Sequence, residues 1–321
     1  MTVLTFSDIE AAGARIAGRV RTVTVAPADE GGLHFALEFM QHTGTFKARG
    51  AQNFIQAHLA EGTFPEAGVT IASGGNAGLA CAWAARAAQV PATVFLPTTA
   101  PSVKVERLRS YGAQVELVGS EFAEAAAACQ EFVDSSGALA SHAYDHPLIA
   151  AGAGTLITEI LAQVPDLDTV VVSVGGGGLF AGVATAATHH GVRTVAVEPE
   201  NCRALKAAIE ADEPVDVTVD SVAADSLGAR RATPLALEAA RSDLVTSVLV
   251  SDNAIVEARQ RLWDEHRLAV EHAAATALAG VRGGGGRKTA DDGRSASGYV
   301  PAEGEKVCVV LCGANTSLGD L

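Results

Sequence analysis

Short β-branched runs alternate with Ala-rich helical runs along this chain. Val69–Ala72, Ala92–Leu96 and Val115–Leu117 read as strands, with helices over Leu79–Gln89, Ser102–Tyr111 and Glu121–Ser135. The signal returns in Thr169–Val174, Thr194–Glu198 and Lys306–Leu311, with helices over Leu179–His189 and Asn253–His266 between them. Such alternation builds parallel sheets covered by helices on both faces, so the expected fold class is α/β. Two sheets fit the pattern. One is built within residues 45–146, and that small domain is inserted in a large one made of 1–44 plus 147–321. The segment Arg282–Gly298 (RGGGGRKTADDGRSASG) is polar and Gly-rich and reads as a surface loop before the last strand.

Composition narrows the function classes. Of 321 residues, 48% are hydrophobic and 19% charged, enough apolar material for a deep core, which excludes general disorder. Lys and Arg total 23 against 37 Asp and Glu, a net charge of −14. So acidic a chain is a poor partner for nucleic acid or an anionic membrane. No apolar run reaches the roughly 18 residues needed to span a bilayer, and the first residues lack the layout of a secretory signal. The five cysteines (Cys81, Cys129, Cys202, Cys308 and Cys312) form no CxxC pair. An odd number without that spacing argues against a disulfide framework and a structural zinc site, and reduced thiols fit the cytoplasm.

Three strand–loop–helix junctions carry candidate chemistry. Gly175-Gly176-Gly177-Gly178 follows a strand, and Leu179 opens a helix. Four glycines let backbone N–H groups approach a ligand, and the helix N-terminus adds about half a positive charge, which suits a phosphate. The alternative is a tight packing turn. Ser73-Gly74-Gly75-Asn76-Ala77-Gly78 also presents donors at a helix start, for a carboxylate or a second anion. Ser73 acting only as an N-cap would explain it as well. Cys312-Gly313-Ala314-Asn315 leaves the last strand at the edge where α/β proteins bind ligands, although a buried Cys is usually a small hydrophobe.

Only five lysines occur: Lys47, Lys104, Lys206, Lys288 and Lys306. Lys47 stands apart, directly after Phe46 and ahead of an apolar run, Ala51–Leu59. A lysine beside an aromatic at such a junction can have a depressed pKa and act as an amine nucleophile, or can simply face solvent.

Thr43-Gly-Thr-Phe-Lys47-Ala-Arg-Gly-Ala, Ser73-Gly-Gly-Asn-Ala-Gly, Gly175-Gly-Gly-Gly-Leu and Cys312-Gly-Ala-Asn occur in that order. Together they resemble the fold-type II pyridoxal phosphate (PLP) enzymes, specifically the serine/threonine dehydratases, over nearly the whole chain. The resemblance implies a tryptophan synthase β-like fold of two domains, each with a mainly parallel sheet flanked by helices. It makes Lys47 the Schiff-base lysine and general base, and Phe46 the residue packing on the cofactor ring. Gly175, Gly176, Gly177, Gly178 and Leu179 become the phosphate loop. Asn76 becomes the partner of the cofactor's 3′-oxygen, and Cys312 that of the pyridine nitrogen. Ser73, Gly74, Gly75 and Ala77 become the loop holding the substrate carboxylate. The implied activity is β-elimination from L-threonine or L-serine to a 2-keto acid and ammonia. The cofactor phosphate would donate the proton to the leaving hydroxyl.

Departures from the family pattern refine these expectations. Many relatives have SSGNH where this chain has Ser73-Gly74-Gly75-Asn76-Ala77. Serine racemases use the second Ser of that motif as a base, so Gly74 disfavours racemisation. Family members often bind a cation near the phosphate loop, and the matching positions are Glu198, Cys202, Leu227 and Ala229. Ala204 stands where a divalent ion would want an acid, so a monovalent ion is implied. The sequence ends at Leu321, which implies no C-terminal regulatory domain and hence a catabolic or unregulated enzyme. A homodimer is the common assembly of the fold. Rival readings are a dehydratase for 3-hydroxyaspartate or a hydroxyectoine-derived amino acid, and a catalytically silent PLP-binding protein.

Overall fold

A computed structural model describes residues 3–29, 31–282, 298–317 and 319. Most of the Gly-rich segment, with Lys288, therefore lies outside the described residues. In chain order the elements are α1 (Phe6–Ile16), β1 (Val25–Pro27), β2 (Leu33–Ala36), α2 (Lys47–Ala60), β3 (Val69–Ala72), α3 (Asn76–Ala88), β4 (Ala92–Leu96) and α4 (Ser102–Ser110). Next come β5 (Gln114–Leu117), α5 (Phe122–Ser136), β6 (Leu139–Ala140), α6 (Pro147–Gln163), β7 (Thr169–Ser173), α7 (Gly178–His189) and β8 (Arg193–Pro199). The chain continues with α8 (Ala204–Ala211), α9 (Ala224–Leu227), α10 (Pro234–Ala240), β9 (Val245–Val250), α11 (Asp252–His266), α12 (His272–Ala279) and β10 (Val307–Val310).

The strands form two sheets. The smaller has the order β5-β4-β3-β6 and is parallel throughout. The larger has the order β1-β2-β10-β7-β8-β9, parallel except for the β1–β2 pair. All strands of the smaller sheet fall between residues 69 and 140, and those of the larger fall on either side of that span. Central strands β7 and β10 are buried at every position, as strands covered on both faces must be. In each sheet the strand order reverses once. It does so between β3 and β6 in the smaller, and between β7 and β10 in the larger. Open α/β sheets bind ligands outside the carboxyl ends of the strands at such points. Ser73, Gly175 and Cys312 follow β3, β7 and β10 there.

Several elements are missing from the sequence reading, for identifiable reasons. Helix α6 is buried from Ile149 to Ile157 on all sides, so it has no polar face to give it a helical period. Its start is set instead by Pro147 in the first turn and by the His146 ring, which accepts the Leu148 N–H. Strands β1 and β2 are short and broken by a turn, and β9 lies at the sheet edge, half-buried. Two helices start earlier than expected. Lys47 itself opens α2, and Asn76 opens α3. Both functional side chains thus sit in a first helical turn, where backbone N–H groups have no intrahelical partner.

Candidate active site

The segment before α2 is stitched to the exit of β10. Thr45 bridges Gly313, and the Phe46 N–H donates to the Cys312 carbonyl at 3.0 Å. Lys47 is carried with it. Its Nζ donates to the Ala143 carbonyl at 2.7 Å and lies 4.8 Å from the centre of the Phe46 ring and 5.9 Å from that of Tyr144. A small apolar cavity lined by Phe46, Lys47, Ala143, Gly178 and Leu179 joins this amine to the start of α7.

The glycine loop has the form of an anion cradle. Gly177 is the N-cap of α7 at φ 102°, a conformation that favours glycine, and a Cβ there would lie 2.3 Å from Ala236 Cβ. At Gly176 a Cβ would fall 2.2 Å from the Tyr144 ring, so the loop backbone lies against the aromatic face. Among the described residues, the N–H groups of Gly175, Gly176 and Gly177 donate to no backbone carbonyl. With the first turn of α7 they form a set of free donors at the positive end of a helix dipole.

Asn76 brings the exit of β3 to the same place. Its Nδ2 donates to both oxygens of Glu271 at 3.0 Å, and its Oδ1 accepts from Asn315 Nδ2 at 2.8 Å. The N-cap of α3 is Gly75, with no side-chain cap bond, so Ser73 does not serve as the cap. Gly75 has nothing within 4 Å of where a Cβ would be, so this turn borders open space.

The electrostatics separate the groups. Burial pulls the Lys47 amine down to about 8, against the opposing pull of Cys312 and Glu271. No carboxylate pairs with Lys47 among the described residues. Burial, helped by the Glu271 charge, pushes the Cys312 thiol up to about 12, so it stays neutral. Its Sγ lies 3.7 Å from Ser173 Oγ. An amine with a substantial neutral fraction near neutral pH can act as nucleophile and base.

Lys47, Phe46, Asn76, Cys312, Gly178 and Leu179 are thus brought together. Ser73, Gly74 and Gly75 follow by chain continuity, whereas the Ala77 side chain is buried. Of the cation candidates, Leu227 packs on Gly175, with its Cα 3.1 Å from where a Cβ would be. Glu198 is engaged elsewhere. Its two oxygens accept the Leu205 and Lys206 N–H groups at the start of α8, at 2.7 and 2.8 Å. That leaves only its remaining lone pairs for an ion, and burial pushes its carboxyl up to about 7. Cys202 is buried. Among the described residues, no group of three His, Cys, Asp or Glu side chains could hold a metal.

Tyr144, Ser226 and Glu271 belong to the site but carry no local sequence signal. Asn315 lay inside a quoted motif without a role. What they share is long-range contact, which spacing does not reveal.

The residues present fit PLP: a cradle with free N–H donors, an unpaired amine of lowered pKa, an aromatic ring beside it and a neutral thiol. The profile of the pyridoxal-phosphate dependent enzyme family matches residues 20–313. An L-threonine ammonia-lyase of Geobacter sulfurreducens is 37% identical over 251 residues, 78% of this chain and 62% of that protein. A human serine dehydratase-like protein is 36% identical over 283 residues, 87% of this chain and 83% of that one. The solved structure of maize serine racemase superposes with a TM-score of 0.85 at 29% identity, covering 99% of this chain and 96% of the other.

Proposed function

We propose, since the chain belongs to the family of pyridoxal-phosphate dependent enzymes, that it eliminates water from L-threonine or L-serine and releases an unsaturated amine, which a water molecule then hydrolyses to a 2-keto acid and ammonia. The observation that carries this reading is the Lys47 amine, unpaired with any carboxylate among the described residues and held beside the glycine cradle. When bound, the cofactor would supply the electron withdrawal that makes the substrate's α-proton acidic. Gly175–Leu179 would hold its phosphate, Phe46 its ring face, Asn76 its 3′-oxygen and Cys312 its ring nitrogen. Lys47 Nζ would attach to the cofactor and, once displaced by substrate, take the α-proton. The free end of the Ser73–Gly75 turn would bind the substrate carboxylate. A neutral thiol cannot keep the ring nitrogen protonated as an acid would, which favours elimination over transamination.

Two observations sharpen the choice of reaction and substrate. Gly74 has no side chain to serve as a second base, and a Cβ there would lie 2.4 Å from Leu96 Cδ2. This position therefore offers no second base, which supports elimination over racemisation. The side chains linked around Lys47 are Asn76, Asn315, Ser226, Cys312, Tyr144 and Glu271, with the His142 ring edge-on to Tyr144, and none of these is a lysine or arginine. A second substrate carboxylate would find amide and hydroxyl donors but no lysine or arginine among them, which favours threonine and serine over 3-hydroxyaspartate.

The reading extends to amino acid breakdown by a homodimer in the cytoplasm, where the five buried free thiols would stay reduced. Among the described residues no helix is long and apolar enough to cross a membrane. The test is 2-keto acid release from purified protein supplied with PLP, with L-threonine and L-serine in parallel. Product from either is expected, and the ratio assigns the substrate. A visible cofactor band without product moves the search to other β-hydroxy amino acids. No band at all overturns the cofactor reading.

A further inference from the structure

Glu271 is 8% exposed and immediately precedes α12. Its carboxylate accepts from Asn76 Nδ2 at both oxygens, from the Asn315 N–H at 2.8 Å and from Ser226 Oγ at 2.9 Å. It has no cation among these partners, so three kinds of donor compensate its burial. Asn315 completes the ring. One Nδ2 hydrogen goes to the Thr43 carbonyl and the other to Asn76 Oδ1, each at 2.8 Å.

Counting hydrogens fixes the Asn76 amide. The oxygen and nitrogen of an amide are distinguished by the network they enter. Asn315 Nδ2 can only donate, so it must face Asn76 Oδ1. The Glu271 carboxylate can only accept, so it must face Asn76 Nδ2. Flipping the amide would break both arrangements at once. The two Nδ2 hydrogens diverge too widely to reach one carboxylate together, so both Glu271 oxygens share one of them, and the other is left over for a ligand.

We propose that Glu271 and Asn315 are positioning residues that lock the Asn76 amide so that one Nδ2–H always points as a donor toward the cofactor site. The claim rests on the reading of Asn76 as the partner of the cofactor's 3′-oxygen. Asn76 comes from the small sheet's switch point, whereas Asn315 follows β10 of the large sheet and the Glu271 N–H donates to the Gly313 carbonyl there, so the lock also ties the two switch points together.

The test is a double-mutant cycle read by the equilibrium dissociation constant of PLP and by the position of its visible absorbance band. Asn76→Ala should weaken PLP about tenfold and move the band, as expected for loss of a hydrogen bond to a charged group. Glu271→Gln keeps the bulk but presents an NH₂ to donors, so it should reproduce much of that loss. Asn315→Ala should do the same if the first variant folds poorly. In the Asn76→Ala background both substitutions should add nothing further, because their effect runs through the amide. Full additivity would overturn the lock and leave Glu271 a structural residue. So would Glu271→Gln and Asn315→Ala variants that bind PLP like the parent while Asn76→Ala does not. An Asn76→Ala protein that binds PLP with an unchanged band would instead overturn the assignment of Asn76 on which the lock depends.

Discussion

Two cations stand two residues apart on α2 and meet opposite fates. Arg49 is fully buried, and its guanidinium donates to Glu38 at 2.6 and 3.0 Å and to Glu159 at 2.7 Å through both terminal nitrogens. Burial works against its charge, but the two carboxylates outweigh it and its pKa rises. Among the described residues Lys47 is given a carbonyl, two aromatic rings and no paired carboxylate, and its pKa falls to about 8. One charge is locked for structure and the other is left reactive. Burial alone does not separate structure from chemistry; the partners supplied do.

Breaking the reactive half should have the largest effect. Lys47→Ala should cut turnover by at least about a thousandfold, the scale of a lost general base, while the unfolding midpoint stays near the parent's. Keto acid assays beside thermal melts would check this, and substantial residual turnover would remove Lys47 from the chemistry. Breaking the structural half comes next. Arg49→Met leaves Glu38 buried without its cation and should cost about 3–5 kcal/mol in denaturant unfolding. A change below about 1 kcal/mol would mean the cluster is not what anchors α2. The smallest effect sharpens the contrast through pH. Lys47 captures PLP as the neutral amine, so the rate at which unloaded protein forms the visible band should climb with pH and level off above about 8. Stopped-flow absorbance would show it. A rate that still climbs about tenfold per pH unit through pH 9 without levelling would mean the amine is not depressed, whereas Arg49 stays charged throughout.

The alternation of strands and helices was legible because β7 and β10 are short, wholly buried runs dominated by valine and bounded by glycine or polar turns. The glycine loop, the Ser73 turn and Cys312 stood out for a related reason, as contiguous stretches of unusual composition at a strand's end, and Lys47 as a lysine beside an aromatic ahead of an apolar run. Helix α6 was not, because a helix buried on every side has no period. Glu271 was not, because a single acid before an Ala-rich helix looks like any first-turn carboxylate.

The sequence by itself determined the α/β class, the order of the motifs and the choice of Lys47 as the candidate amine, since all of these depend on neighbours along the chain. Only the tertiary structure decided that Lys47 has no acid partner among the described residues while Arg49 has two, and which way the Asn76 amide faces. Those outcomes depend on hydrogen bonds such as Asn76–Glu271, 195 residues apart, and Asn315–Asn76, 239 apart. A side chain's charge state and orientation are set by whatever the fold packs against it, and that packing exists only once the two sheets have formed.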